Sequence, residues 1–322
     1  MAKYIVKRLV LAVASFFIIM SMLFVLIRLL PNPVVQVSGG YAKALEDMRT
    51  AWGYYDPIIV QYGIFLKKVF LEFDWGFCTT VGTFLQPVGE YLMSKLPATL
   101  YINGLALVVA LPLGVIFGII AAVFKNKWQD QVINVFIMFF ISIPSFVYAV
   151  MFQYFIGFKL GWCPLILDSG TNYFSWKMFH SAILPILSMA VGTIAGDMRL
   201  VRAELTETLT SDYMLLARTK GLTRAQATWR HAFRNSMVPI LPSFLSDVIY
   251  IISGSLIIEQ IFSVPGIGRT YLASINLLDY SVFLAVSMFY VAVGLLSGIL
   301  FDLSYGIIDP RIRMGGGKTN EM

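Results

Sequence analysis

The sequence predicts an all-α polytopic membrane protein with six transmembrane helices and a small external subdomain, on three observations. Charge is scarce, 13% of residues against 58% hydrophobic, where an ordinary soluble domain carries about 25% charged residues. Mean hydropathy is high, at +0.77. Apolar runs suited to a hydrocarbon core of about 30 Å recur around residues 9–30, 97–124, 132–155, 183–196, 238–258 and 282–308. Backbone groups in hydrocarbon must be satisfied within their own segment, so each run is expected to be a helix.

An even number of spans puts both termini on one side, and the distribution of Lys and Arg chooses that side. With the N-terminus in the cytoplasm, inner segments hold Lys3, Lys7, Arg8, Lys125, Lys127, the seven basic residues from Arg199 to Arg234, and Arg311, Arg313 and Lys318, which is 15 of the 24. The net charge of +6 therefore reflects topology and requires no nucleic-acid partner.

The first run is too long for a signal-peptide core and ends in Leu-Leu-Pro-Asn-Pro with no small-residue cleavage site, so residues 1–30 read as a cytoplasmic N-terminus and a permanent first span. Residues 31–96 form the longest connection, too long for a structureless loop. A helix is expected within 54–73, with Pro57 at its first position after Asp56. This connection is the external subdomain. Cys78 and Cys163 both fall in predicted outer segments; pairing is open, and unpaired thiols are the plainer reading.

Residues 97–310 form the five-helix core. Ala110, Gly114, Gly118 and Ala122 recur every four residues, as do Gly192 with Gly196 and Gly294 with Gly298, a spacing that lets helix backbones approach closely. Packing within the chain is the plainer account of these stripes, a subunit contact the alternative. Pro112, Pro144 and Pro185 lie inside or at the ends of spans, where freed backbone groups need neighbours or a wet cavity. Charge in hydrocarbon is costly, so Arg28, Asp197, Asp247, Glu259 and Asp302 are each candidates for the interior or a watery path. Arg28 and Asp302 sit near span ends and are expected at the interface. Asp247 is the most central, suited to a pathway or to helix–helix hydrogen bonding.

Residues 199–242 are the long charged stretch between two apolar runs. Ser211 or Asp212 can cap a short helix, DYMLLARTK, that ends at Gly221. Thr223 and Gln226 have capping-box spacing and open a second helix. Tyr213, Leu216 and Ala217 share a face on the first helix beside Arg218 and Lys220; Ala225, Trp229 and Ala232 share one on the second, with Arg230 and Arg234 on another. Such a pair fits either a knob for a groove on another protein or a surface helix pair on lipid phosphates.

The loop resembles the cytoplasmic coupling motif of ABC importer permeases, in the form carried by the oligopeptide, dipeptide and nickel permease family. The resemblance rests on a Tyr, an ARxKGL core and an RHxxRNxxxP segment, here Tyr213, Ala217, Arg218, Lys220, Gly221, Leu222, Arg230, His231, Arg234, Asn235 and Pro239. Where the wider superfamily often has Glu-Ala-Ala, this chain has Leu215, Leu216 and Ala217. The family's ExxFxxPGxG segment is matched by Glu259, Phe262, Pro265, Gly266 and Gly268, and its DPR signature by Asp309, Pro310 and Arg311. The outer loop departs from the pattern, with Phe73-Asp74-Trp75-Gly76 for Gly-Asp-Leu-Gly and Pro31-Asn32-Pro33 for Pro-Gly-Asp-Pro.

The resemblance implies a type I importer core in a bacterial or archaeal inner membrane, carrying a peptide. It also implies a homologous second permease, two cytoplasmic ATPase subunits and an extracytoplasmic binding protein as partners. Residues 212–222 would be the docking tip, with Asp212 at its head, and residues 259–268 would help form an outer gate. Nickel or another small solute is the alternative cargo; a channel or secondary carrier independent of ATPases is a further one, and a structural scaffold a third. GGGKT at 315–319 imitates the end of a phosphate loop, but Ile312 stands where the required Gly would be. It reads as part of a flexible tail, 311–322. No catalytic, cofactor or metal site is expected in this chain; ATP and Mg belong to the partner ATPases.

Overall fold

The structure, a computed structural model, describes residues 2–31 and 40–308 and is helical almost throughout. The DPR signature, residues 311–322, Asn32 and Pro33 lie outside the described residues.

The chain opens with α1 (Ala2–Leu29), α2 (Gly40–Ala51) and α3 (Ile58–Leu71). The predicted helix after Asp56 is α3, but Pro57 stands just before it, where its carbonyl accepts from the amides of Val60 and Gln61. Residues 40–77 do not build a core of their own. Leu45, Trp52, Phe65, Val69 and Phe77 pack with Met20 and Phe24 of α1. Arg28, expected at an interface, lays its guanidinium 3.8 Å from the centre of the Tyr54 ring and 5.2 Å from that of Phe24, a cation–π arrangement. The turn at 76–88 carries one antiparallel bridge, Phe77 to Pro87. Cys78 and Cys163 are free thiols.

Next come α4 (Val88–Val123), α5 (Trp128–Ser142) and α6 (Ser145–Phe152), the last continued by a π-helical stretch, Gln153–Lys159. The predicted span at 132–155 is not one helix: α5 and α6 meet at 102°. Pro144 is the cause, since it has no N–H to donate and pushes the preceding Ile143 into extended backbone, φ −94° and ψ 128°. The run at 183–196 is the middle of the much longer α7 (Trp176–Leu209), which carries the chain past Arg199 and Arg202.

Then follow α8 (Asp212–Thr219), α9 (Arg224–Ala227), a π-helical turn (Thr228–Phe233) and α10 (Arg234–Tyr250). Three further helices complete the chain: α11 (Leu256–Ile261), α12 (Ile267–Asn276) and α13 (Tyr280–Ile308). The predicted run at 238–258 is likewise divided. α10 has 17 residues, about 25 Å at 1.5 Å per residue; the chain then turns, and Ser255 caps α11 by accepting from the Ile258 amide. By length and composition α1, α4, α7 and α13 can each cross a membrane, and α5 with α6 makes a fifth span if the bent pair is counted as one.

The centre of the molecule is the α4–α7 pair. Gly114 faces Asp197 and Gly118 faces Val201 so closely that a Cβ on either glycine would overlap the facing side chain, and Ala110 and Ala122 of the same stripe are buried. This stripe is packing within the chain, as close backbone approach predicts. Gly192 meets the Tyr148 hydroxyl, while Gly196, Gly294 and Gly298 face open space. Against α13 lie α1 and Cys78, Val81 and Val88 from the turn at 76–88, and Asp302 pairs with Arg8 at 3.0 Å.

Candidate coupling and pathway sites

Between α8 and α9 the chain turns at Gly221, whose φ of +89° is open to glycine at no steric cost. The Leu222 amide donates to the Ala217 carbonyl at 3.3 Å and the Gly221 amide to that of Arg218 at 3.0 Å, the two bonds of a Schellman stop. At the other end of α8 Ser211 takes the N-cap position without a side-chain cap bond; its hydroxyl donates back to Thr208 O at 2.6 Å. The predicted capping box is present, Thr223 accepting from the Gln226 amide and Gln226 from that of Thr223.

The faces differ from those predicted. Ala217 does not share the exposed face with Tyr213 and Leu216; it turns inward with Met214 onto Ala122, Leu205, Ala227 and Ala232. The exposed apolar tip is Tyr213, Leu215 and Leu216, at 37%, 65% and 55% accessibility. On the second helix Ala225 and Trp229 are exposed while Ala232 is buried, because the π-helical turn widens the helix. Its inner face is Thr228, Ala232, Ser236 and Ile240, four apart rather than on a 3.6-residue stripe. Trp229 packs edge-on against Phe233, with ring centres 5.1 Å apart.

Asp212, Arg218, Lys220, Arg230, His231, Arg234 and Asn235 are exposed, and Leu222 and Pro239 half-buried. Arg224 instead donates to Val123 O at 3.2 Å, satisfying a carbonyl that the end of α4 leaves without a helical partner. From Arg224 to Tyr250 the backbone is helical without interruption, so the loop runs directly into α10.

Asp130, which sequence reasoning passed over, joins α5 to α7. Arg202 grips it with Nε to Oδ1 at 2.6 Å and Nη2 to Oδ2 at 2.9 Å, and Asn126 N and Asn134 Nδ2 donate to it as well. An acid in a helix's first turn is a readable signal; its partner 72 residues away is not.

Residues 259–268 form a knot around Glu259, which is fully buried. Thr99 Oγ1 of α4 donates to its Oε1 at 3.0 Å and the Arg269 amide to its Oε2 at 3.0 Å, while Thr99 accepts from the Ile267 amide at 2.8 Å. Gly254, Gly266 and Gly268 press against the carboxylate, where a Cβ would collide with it. Phe262 is fully buried in the main core and Pro265 is exposed. The structure thus brings Glu259, Phe262, Gly266 and Gly268 together and places Asp247 elsewhere, on the wall of a cavity of about 200 Å³ between α4, α7 and α10.

Asp279, at the start of α13, is fully buried. Its Oδ2 accepts the successive amides of Thr79, Thr80 and Val81 at 2.7, 2.9 and 3.0 Å. The sequence pattern gave Asp279 no such role; an Asp just before an apolar run is an N-cap signal, whereas its docking onto residues 79–81 has no local signature.

Two family models match the sequence: "Binding-protein-dependent transport system inner membrane component" over residues 114–314 and the corresponding N-terminal model over residues 1–103. The chain is 32% identical to the dipeptide transport system permease protein DppB of Lactococcus lactis subsp. cremoris, over 98% of this chain and 100% of that one. It is 32% identical to the oligopeptide transport system permease protein OppB of Mycoplasma genitalium, over 99% of this chain and 79% of that one. Among solved structures it resembles a chain of the MetNI methionine ABC transporter in inward facing conformations, with a TM-score of 0.50 and 17% identity over 70% of this chain and 96% of that one, a likeness of fold.

Proposed function

The chain belongs to the family of binding-protein-dependent transport system inner membrane components, and from that premise we propose that it is one permease half of an ATP-driven peptide importer. Similarity over almost its whole length to relatives named as dipeptide and oligopeptide permeases supports the cargo. The partners in this reading are a homologous permease, two cytoplasmic ATPase subunits that bind ATP and Mg, an extracytoplasmic binding protein, and lipid.

Counting α10 and the bent α5–α6 pair as spans gives six crossings, with both termini in the cytoplasm on the distribution of basic residues. Residues 40–96 then form the outer subdomain, and α8 and α9 face the ATPases.

The observation that carries the coupling role is the α8–α10 junction. Tyr213, Leu215 and Leu216 stand exposed beside Arg218, and an unbroken helical backbone leads from Arg224 into α10. An apolar tip of that kind seats in a groove on another protein, and the helix behind it transmits displacement. When ATP closes the ATPase dimer, the tip moves and the equilibrium between inward-open and outward-open states shifts by the difference in how the two states bind the nucleotide-loaded partners. Gly221, Leu222, Arg230, His231, Arg234, Asn235 and Pro239 hold this corner and its stalk. Glu259, Phe262, Pro265, Gly266 and Gly268 shape the outer gate, and Asp247 lines the pathway.

The test is uptake of a labelled peptide into proteoliposomes holding the permease pair and the ATPases, with binding protein outside and ATP inside. ATP-dependent uptake is expected. Uptake that persists without the ATPase subunits would overturn the reading.

A further inference from the structure

We propose that Lys95 and Arg269 form a receptor for the C-terminal carboxylate of the peptide at the outer mouth of its path, a proposal that rests on the peptide cargo above. The two side chains line one cavity of about 230 Å³ between α4 and α12, together with Tyr91, Gly266 and Thr270. Among the described residues no Asp or Glu lines it, and neither cation forms an ion pair. Both cations are held in place. Lys95 Nζ lies 4.9 Å from the centre of the Tyr91 ring, a cation–π contact that brings no counter-charge. Behind that ring stands Gly82, where a Cβ would collide with it. Arg269 Nη1 donates to Ser263 O at 3.1 Å, and its main-chain amide is anchored on Glu259.

The place of this cavity selects the occupant. Lys95, Thr99 and Asn103 are four residues apart and share one face of α4, with about 6 Å of helix between successive members. Lys95 borders the cationic cavity, Thr99 bonds Glu259, and Asn103 borders the cavity of about 200 Å³ that Asp247 lines. Gly254 borders that second cavity and Gly266 the first, and both press against the Glu259 carboxylate. The knot around Glu259 is therefore the partition between two cavities stacked along one helix face. A solute that enters by way of the outer gate meets the cationic cavity first, whereas a lipid phosphate has no need of a place in line with the path.

A carboxylate fits the chemistry of the walls. Two like charges around one space repel, and an anion arriving between them is attracted to both. A carboxylate has two oxygens with about four lone-pair sites, so it can accept from the Lys95 ammonium and from the N–H groups that Arg269 does not give to Ser263, by charge-assisted hydrogen bonds. Glu259 cannot serve as the counter-ion, since its oxygens are directed at Thr99 and the Arg269 amide on the far side of Gly266. A solvated rim accounts for one cation at a helix end; it does not account for two half-buried ones that line the same cavity.

The experiment uses the complete transporter in proteoliposomes and has two arms. In the first, uptake of tetra-alanine is compared with uptake of tetra-alanine amide, each corrected for its measured affinity for the binding protein. Lys95→Gln and Arg269→Gln should each lower the ratio of free-acid to amide uptake at least fivefold, while Lys95→Arg, which keeps the charge, should hold the ratio near that of wild type. A ratio unchanged in both Gln variants overturns the site. Equal losses for the two peptides do so as well, because they would put the anion on the binding protein or on a lipid. In the second arm, wild-type transporter without binding protein is treated with N-acetoxysuccinimide, which acetylates amines, and labelling at Lys95 is followed by mass spectrometry. Butyrate should slow it at least threefold relative to butanol or chloride at equal concentration, and equal labelling in all three overturns the site. This arm needs neither peptide nor variant. Failure of wild-type transporter to take up any peptide would overturn the peptide cargo alone, leaving the butyrate result to decide the receptor.

Discussion

Arg202 and Asp130 form a two-point contact between α7 and the start of α5, at 2.6 and 2.9 Å, with the Asp130 carboxylate almost completely enclosed. Removing one partner of a buried pair leaves the other charge stranded. Arg202→Leu is expected to cost about 3 kcal/mol, the low end for such a pair because Arg202 keeps some exposure. Arg202→Lys should recover only part of this, since an ammonium cannot reproduce the planar fork. Thermal unfolding of the detergent-solubilised protein checks the order wild type, Lys, Leu.

The corner between α8 and α9 depends on a backbone conformation that a β-branched residue resists. Gly221→Val should strain the turn by about 1–3 kcal/mol and shift the tip, although no neighbour lies within 4 Å to clash with a side chain there. Membrane insertion is expected to be normal, with ATP hydrolysis no longer tied to peptide uptake. Equal hydrolysis and uptake in mutant and wild type would remove the corner from the coupling path.

At Glu259 the requirement is for space and for donors. Gly266→Ala would drive a methyl group into Glu259 and Thr99 at once, an overpacking cost of about 1–3 kcal/mol. Thr99→Val keeps the volume but leaves Glu259 short of one donor and the Ile267 amide without its acceptor, about 1–3 kcal/mol per buried group left unsatisfied. Both should lower folded yield and unfolding temperature. A Gly266→Ala protein as stable as wild type would contradict the close packing.

Burial pushes the Cys78 thiol up to about 12, and the nearby Asp279 carboxylate adds to the rise. The thiolate is the reacting species, so at pH 8 only about one thiol in 10⁴ is reactive there. Cys78 should resist maleimide in native protein, its rate climbing about tenfold per pH unit while the fold holds. Cys163 is less enclosed and should label first. Mass spectrometry of cysteine-containing peptides reads both.

Features fixed by neighbours in sequence were legible: the Gly221 corner, the capping box at Thr223 and the small-residue stripe on α4. Pro144 was visible, but reading an apolar run as one helix ignored what proline does to the residue before it. The end of α10 was hidden because Ile251, Ile252 and Leu256 keep the run apolar through a turn. Ala232 went to the wrong face because a 3.6-residue period was assumed where the helix widens at 228–233, whereas Ala217, on the regular α8, was grouped with Tyr213 although its inward neighbour is Met214. Thr99 with Glu259 and Arg202 with Asp130 were out of reach, since partners 160 and 72 residues apart leave no trace in local pattern.

The clasp at Asp279 has an uneven tolerance to change. Its three donors are main-chain amides of residues 79–81, which every amino acid but proline supplies. Side chains at those positions can therefore vary without removing these three bonds, although Val81 also packs on α13 and the Thr80 hydroxyl donates to Leu277 O at 2.8 Å. The acceptor has no such freedom, because a single carboxylate serves all three donors. One side of this contact is encoded by shape alone and the other by a single codon.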